Sequence, residues 1–90
     1  MSASGTFEIV NERGMHARAA TKLVQLASSF GCEVELEKDG QRANAKSVMG
    51  VLLLCGAKGT RVSVLAEGAD EQSAVDAIGE LIASRFGEEA

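Results

Sequence analysis

Between Cys32 and Glu37 the chain alternates without a break. Cys32, Val34 and Leu36 are apolar, while Glu33, Glu35 and Glu37 are acidic. A period of two is the signature of a strand with one dry face and one wet face. Carboxylates in a row are not buried without partners. The sheet that contains this strand is therefore expected to be covered on one side only, with the other side in water. Asp39-Gly40 follows as a hairpin signal. Gln41 to Ala45 is expected to return as a short strand with Ala43 and Ala45 inward.

The periodicity switches several more times. Thr6 to Val10 reads as a strand with Phe7 and Ile9 on one face, and Asn11 to Gly14 as a polar turn. Ala20, Leu23, Val24 and Ala27 form one helical stripe. That helix is expected to begin near His16 and stop at Gly31, a natural residue after a helix end. Ser47 is placed to cap a second helix over Val48 to Cys55. Nearly every position of that helix is apolar, so periodicity cannot select its buried face. Thr60 to Glu67 reads as a strand with Val62, Val64 and Ala66 on one side. Asp70 is expected to cap a last helix with the stripe Ala74, Ile78, Leu81 and Ile82. Gly87 should end it, leaving Glu88 to Ala90 frayed. The order is β-α-β-β-α-β-α. This predicts an α+β fold in two layers: a four-stranded antiparallel sheet with three helices on one face.

Composition narrows the function. With 90 residues, the chain is expected to be a single domain over 1–90. A net charge of −4 argues against general nucleic-acid binding, which needs a basic surface. The apolar run from Val48 to Ala57 is about half of the ~20 residues that a membrane span requires, so no membrane insertion is expected. Met1 to Gly5 has neither the basic nor the apolar region of a signal peptide, and a cytoplasmic location follows as the expectation. Cys32 and Cys55 have neither the number for a disulfide scaffold nor the spacing for zinc. No metal or cofactor is expected. A core this small leaves no room for a deep pocket, so a surface site completed by a partner protein is expected.

The chemistry concentrates in Gly14-Met15-His16-Ala17-Arg18. The single histidine sits where the first helix begins. Amide groups of a first helical turn have no partner within the helix, and the helix dipole makes that end positive. An anion gains hydrogen bonds and a favourable field there, through the backbone of Ala17 and Arg18. The Arg18 guanidinium adds a fork suited to phosphate oxygens. A neutral imidazole is a competent nucleophile near pH 7. The positive helix end should keep His16 neutral before reaction and stabilise a phosphoryl group afterwards. The same residue types also fit a small α+β ligand-binding or regulatory domain in which His16 is incidental. Two motifs decide between these readings.

Gly14-Met15-His16-Ala17-Arg18 resembles the active-site signature of HPr, the histidine-containing phosphocarrier of the bacterial phosphoenolpyruvate-dependent sugar phosphotransferase system. Lys46-Ser47-Val48-Met49-Gly50-Val51 resembles that family's second, serine signature, and Ala57-Lys58-Gly59 and Ala66-Glu67-Gly68 resemble its later turns. The resemblance covers essentially the whole chain and implies the open-faced β-sandwich of the family. It implies that His16, with Arg18, accepts a phosphoryl group on Nδ1 from phospho-enzyme I and passes it to sugar-permease IIA domains. Such a protein is a carrier rather than an enzyme with turnover. It further implies regulatory phosphorylation of Ser47 by HPr kinase/phosphorylase where that enzyme exists. A docking surface is implied at Met15, Val48, Met49, Leu52 and Leu53, with Val51 and Leu54 facing the sheet. The protein is expected to be a monomer. An HPr-like regulator of a nitrogen or metabolic branch remains compatible with the same motifs. Ala19 stands where the family usually has proline, Leu53 where relatives often carry a small polar residue, and Cys55 where they often have glycine. Gln25 and Ser28 occupy much of a helix side that is often lysine-rich, leaving Lys22 and Arg18.

Overall fold

A computed structural model describes residues 2–90. The strands are β1 (Ala3–Glu8), β2 (Glu33–Lys38), β3 (Gln41–Asn44) and β4 (Arg61–Glu67). The helices are α1 (Ala17–Ser28), α2 (Val48–Leu54) and α3 (Glu71–Ala83), followed by a 3-10 turn at Arg85–Gly87. The sheet has the order β1-β4-β2-β3, and every neighbouring pair is antiparallel. Helix α3 lies against β1 and β4, α2 against β2 and β3, and α1 packs on both helices. The expected element order and open-faced architecture are therefore present.

The alternation in β2 divides the molecule. Val34 and Leu36 are buried, with Val62, Val64 and Ala66 of β4 beside them and Leu23, Val51, Ile78 and Ile82 of the helices in the same core. Glu33 and Glu35 are exposed on the opposite face. There the Arg42 guanidinium meets Glu37 at 3.1 Å and Glu35 at 3.5 Å, and the Thr6 and Ser63 hydroxyls share a hydrogen bond of 3.0 Å. Exposed pairs of this kind each contribute at most about 1 kcal/mol. Burial on the helical side carries the fold.

Several boundaries differ from expectation. Helix α3 ends at Ala83 with Ser84 as its cap, not at Gly87, because the chain turns off through left-handed Arg85 and Phe86 to bury the Phe86 ring. Strand β1 begins at Ala3 and ends at Glu8, not Thr6 to Val10. Ile9 is fully buried, and its backbone bonds instead to Gly59 and Thr60 in the turn before β4. Helix α1 ends at Ser28, three residues before Gly31. Its cap residue Ser29 is right-handed, and the Ser29 hydroxyl donates to the Leu26 carbonyl at 2.6 Å. The Gly31 and Cys32 amides donate to the Asp70 carboxylate, both at 3.1 Å. Asp70 thus holds the cap position of α3 but makes no side-chain cap there. Its carboxylate reaches across to fix the start of β2. The Cys32 thiol and then the Gly31 amide hold its carboxyl below the ordinary range.

Burial, and then the Asp70 carboxylate, push the Cys32 thiol up. Burial pushes the Cys55 thiol up to about 11, against a small opposite pull from Lys38. Both cysteines are buried and free, and both thiols stay protonated near neutral pH.

Two backbone approaches depend on glycine. Gly14 has φ +66°, and a Cβ there would stand 2.8 Å from the Ala57 Cα and 2.9 Å from the Gly56 carbonyl oxygen. Gly79 gives the Phe7 ring its place, since a Cβ on α3 would lie 2.3 Å from two of the ring carbons.

The Gly14→Ala variant should lose about 2–4 kcal/mol in urea unfolding, from left-handed strain together with overpacking. Gly40 supplies the control: its φ is +81° with nothing within 4 Å of a Cβ. Gly40→Ala should lose only about 1–2 kcal/mol, the strain alone. Equal losses would show that the Ala57 contact contributes nothing. Acid provides a second check. A carboxyl held low by native partners stabilises the fold above its ordinary value and loses that contribution as pH falls through the lowered one. Below about pH 4 the wild type should therefore destabilise more steeply than Asp70→Asn. Parallel acid limbs in the two proteins would remove Asp70 from the account.

Candidate active site

The site is built from the loop between β1 and α1. Asn11 is fully buried. Its Nδ2 donates to the Gly14 carbonyl at 2.8 Å, and the Gly14 amide returns a bond to the Asn11 carbonyl at 3.1 Å. The Met15 amide then donates to the Gly56 carbonyl at 3.1 Å. The loop is therefore closed on itself by Asn11 and tied to the turn before β4 by Met15. Beyond it, Ala19 and Ala20 are fully buried and seat the first turn of α1. His16 stands between these two anchors.

His16 occupies the cap position of α1 with extended backbone (φ −96°, ψ 177°), and its carbonyl accepts the first helical bond, from Ala20, at 2.9 Å. Its side chain makes no cap bond. The amides of Ala17, Arg18 and Ala19 have no hydrogen-bond partner among the described residues. Two of these donors, on the exposed residues Ala17 and Arg18, lie at the positive end of a twelve-residue helix directly after His16, while Ala19 is fully buried. Arg18 is exposed and forms no ion pair among the described residues. His16, Arg18 and the backbone of Ala17 and Arg18 are where the sequence predicts them.

The His16 Nε2 is in direct contact with the Glu88 carboxylate. The second Glu88 oxygen accepts from Asn11 Nδ2 at 3.0 Å. His16, then Asn11, hold the Glu88 carboxyl below the ordinary range. Glu88 was expected to be frayed and is instead docked. The chain turns back through Arg85 (φ 60°), Phe86 (φ 55°) and Gly87 (φ 80°). Phe86 is fully buried, and Lys22 Nζ donates to its carbonyl at 2.7 Å. Asn11 and Glu88 are the two site residues that sequence reasoning missed. The available signal was a large apolar residue, Phe86, just before the acidic end of the chain.

Helix α2 lies beside α1. Ser47 caps it as expected, its Oγ accepting from the Gly50 amide at 3.1 Å. Val51 and Leu54 are buried, while Val48, Met49 and Leu53 are 36%, 68% and 83% exposed. Leu52 is half-buried against the core. Met15 differs from its expected place on the surface patch: it is only 8% exposed and closes the core beneath the loop. Lys22, expected to be available on α1, is tied to the C-terminal turn.

The family model described as the PTS HPr component phosphorylation site matches residues 3–84, a segment that holds His16, Arg18 and Ser47. The phosphocarrier protein HPr of Cupriavidus necator is 48% identical over 80 residues, 89% of this chain and 90% of that one. A crystal structure of HPr from Thermoanaerobacter tengcongensis superposes with a TM-score of 0.93 at 45% identity, covering 98% of this chain and 99% of that one. A crystal structure of an HPr dimer from the same organism matches with a TM-score of 0.77 at 46% identity, covering 91% and 94%. Among the described residues, no helix is long and apolar enough to cross a membrane. With its sheet order, its His16-bearing loop and these relatives, the chain belongs to the HPr family of phosphotransferase-system phosphocarriers.

Proposed function

We propose that His16 accepts a phosphoryl group on Nδ1 from phospho-enzyme I and donates it to sugar-permease IIA domains, without metal or cofactor. One observation carries this reading. The histidine sits at the start of α1, next to the unpartnered amides of exposed Ala17 and Arg18 and to the exposed Arg18 guanidinium. Oxygens of a phosphoryl group on Nδ1 gain the amides, the field of the helix end and the Arg18 fork together. The reaction moves one group: the bond from phosphorus to its donor breaks as the bond to Nδ1 forms. The partner proteins supply the rest of the reaction chamber, in keeping with a ring that is 23% exposed at the surface. The protein is a carrier consumed and regenerated by its partners.

Val48, Met49 and Leu53 form the docking surface in this reading, with Leu52 at its margin. An exposed apolar patch on a small domain marks a partner site, and methionine adapts to more than one partner. Ser47 lies at the edge of this patch. A phosphate on its Oγ, added by HPr kinase/phosphorylase where present, would sit at the start of α2 and add negative charge beside the patch, weakening enzyme I binding by repulsion. The protein works in the cytoplasm as a monomer. Two copies meeting through their open sheet faces would oppose their own glutamates, Glu33 and Glu35.

Mixing the protein with enzyme I and phosphoenolpyruvate should give stoichiometric, acid-labile, base-stable phosphate that is absent from His16→Ala. Label persisting in that variant would overturn the assignment. Arg18→Ala should slow transfer roughly 10–100-fold, the worth of one lost charge-assisted interaction of about 1.5–3 kcal/mol. Ser47→Ala should carry phosphate on His16 normally and lose about 1 kcal/mol of stability through its cap.

A further inference from the structure

The C-terminal turn is expensive to form and is held at several points. Arg85 and Phe86 both lie in the left-handed region, which residues with a side chain rarely adopt. Such conformations persist where the surroundings over-determine them, and they concentrate at functional sites. Here Phe86 is locked into the core, its carbonyl is held by Lys22 Nζ, and the Gly87 and Glu88 amides bond back to Ser84 (3.1 Å) and Arg85 (2.9 Å). The result is the placement of one side chain. Glu88 has one oxygen on Asn11 Nδ2 and the other on His16 Nε2. Asn11 cannot exchange its amide ends, because the same Nδ2 donates to the Gly14 carbonyl. The family match stops at residue 84, four short of Glu88.

We propose that Glu88 is a positioning residue for phosphoryl transfer: its carboxylate keeps the His16 ring proton on Nε2 and so presents the Nδ1 lone pair to phosphorus. The transfer half of this statement rests on the carrier reading above, and the tautomer half does not. A carboxylate only accepts hydrogen bonds, so the ring nitrogen facing it must be the N–H. Nδ1, which has no hydrogen bond among the described residues, is left with its lone pair free. That pair forms the bond to phosphorus while the donor departs with the electrons of the bond that breaks. The Nε2 proton is retained, so the phosphorylated ring carries positive charge. The start of α1 opposes positive charge at this position, and the carboxylate against Nε2 offsets it. When the group leaves for an acceptor, the electron pair of the Nδ1–P bond returns to Nδ1 and the neutral tautomer is restored. Asn11 holds the far oxygen of Glu88, so that the near one stays in the ring plane's reach.

Nitrogen-15 NMR of the wild type, Glu88→Ala and Glu88→Gln, together with their initial rates of phosphoryl transfer from phospho-enzyme I, tests this. The wild type should show a slowly exchanging Nε2–H resonance and an Nδ1 shift of the unprotonated type. In Glu88→Ala that resonance should be lost to solvent exchange, the ring should relax to a mixture of tautomers, and transfer should slow about ten-fold, one charge-assisted hydrogen bond's worth. Glu88→Gln should keep the tautomer through its carbonyl oxygen and recover part of the rate. A merely structural tail would shift the unfolding midpoint while leaving the tautomer unchanged. A ring protonated on Nδ1 in the wild type, or identical tautomers and exchange in wild type and Glu88→Ala, would overturn the proposal. Loss of the resonance in Glu88→Ala with no labelling of the wild type would sink the carrier reading and leave the tautomer assignment standing.

Discussion

A sheet that carries Glu33 and Glu35 on one face can bury only the other. All apolar cover must then come from three helices on one side, and their lengths and entry points are set by how they fit there. Helix α3 comes close enough to β1 for the Phe7 ring to occupy the space left at Gly79. Helix α1 packs on α2 and α3, and its first turn is seated by buried Ala19 and Ala20. The start of α1 is thereby fixed with Ala17 and Arg18 exposed at the surface. A chemical group placed there needs no cavity. This is how so small a core of mainly aliphatic side chains can support the proposed reactive centre.

Two fields meet at His16. The helix end attracts anions and repels a cationic ring, worth about 0.3–1 kcal/mol at an exposed position. The Glu88 carboxylate acts on the same ring through a charge-assisted hydrogen bond, worth about 1.5–3 kcal/mol. In the proposed carrier the larger effect decides where the ring proton sits, and the smaller one, joined by Arg18, acts on the phosphoryl oxygens. The two do not compete for one atom. The carboxylate addresses Nε2, and the amides address whatever is attached through Nδ1. A single imidazole with two inequivalent nitrogens lets one site satisfy opposite charges.

What was legible in the chain was local. The alternation of Cys32 to Glu37 led to the one-sided sheet, Ser47 before an apolar run led to the cap on α2, and His16 beside Arg18 led to the reactive helix start. What failed was long-range. Asp70 looked like a cap for its own helix, and its carboxylate instead holds Gly31 and Cys32, 39 and 38 residues away. Gly31 looked like a helix stop because glycine tolerates left-handed backbone, yet the bond to Asp70 draws it toward β2 after α1 has already ended. Glu88 bonds to His16 and Asn11 across 72 and 77 residues. Phe86 signals that the tail is anchored, but nothing in the polar residues after Gly87 says which partner Glu88 meets. Met15 was expected on the docking surface from the family resemblance. The loop that carries His16 needs an apolar anchor, and buried Met15 is that anchor. Within α2 the uniform apolarity hid which face is buried; the family resemblance, not periodicity, separated Val51 and Leu54 from Met49 and Leu53, as packing against β2, β3 and α1 does.

The same packing decides how the proposed docking surface must work. The net charge is −4, Lys22 is tied to the Phe86 carbonyl, and the exposed cations close to His16 in sequence are Arg13 and Arg18. Long-range attraction to an acidic partner is therefore weak, since Glu88 is held against His16 and Lys58 is paired with Glu12 at 2.9 Å. Affinity must come from desolvating Met49, Leu53 and Val48, a term that salt screens little. Arg18 is then freed from a general role in attraction. It can be reserved for the phosphoryl oxygens, where a fixed cation close to developing charge is worth more than the same cation used for steering.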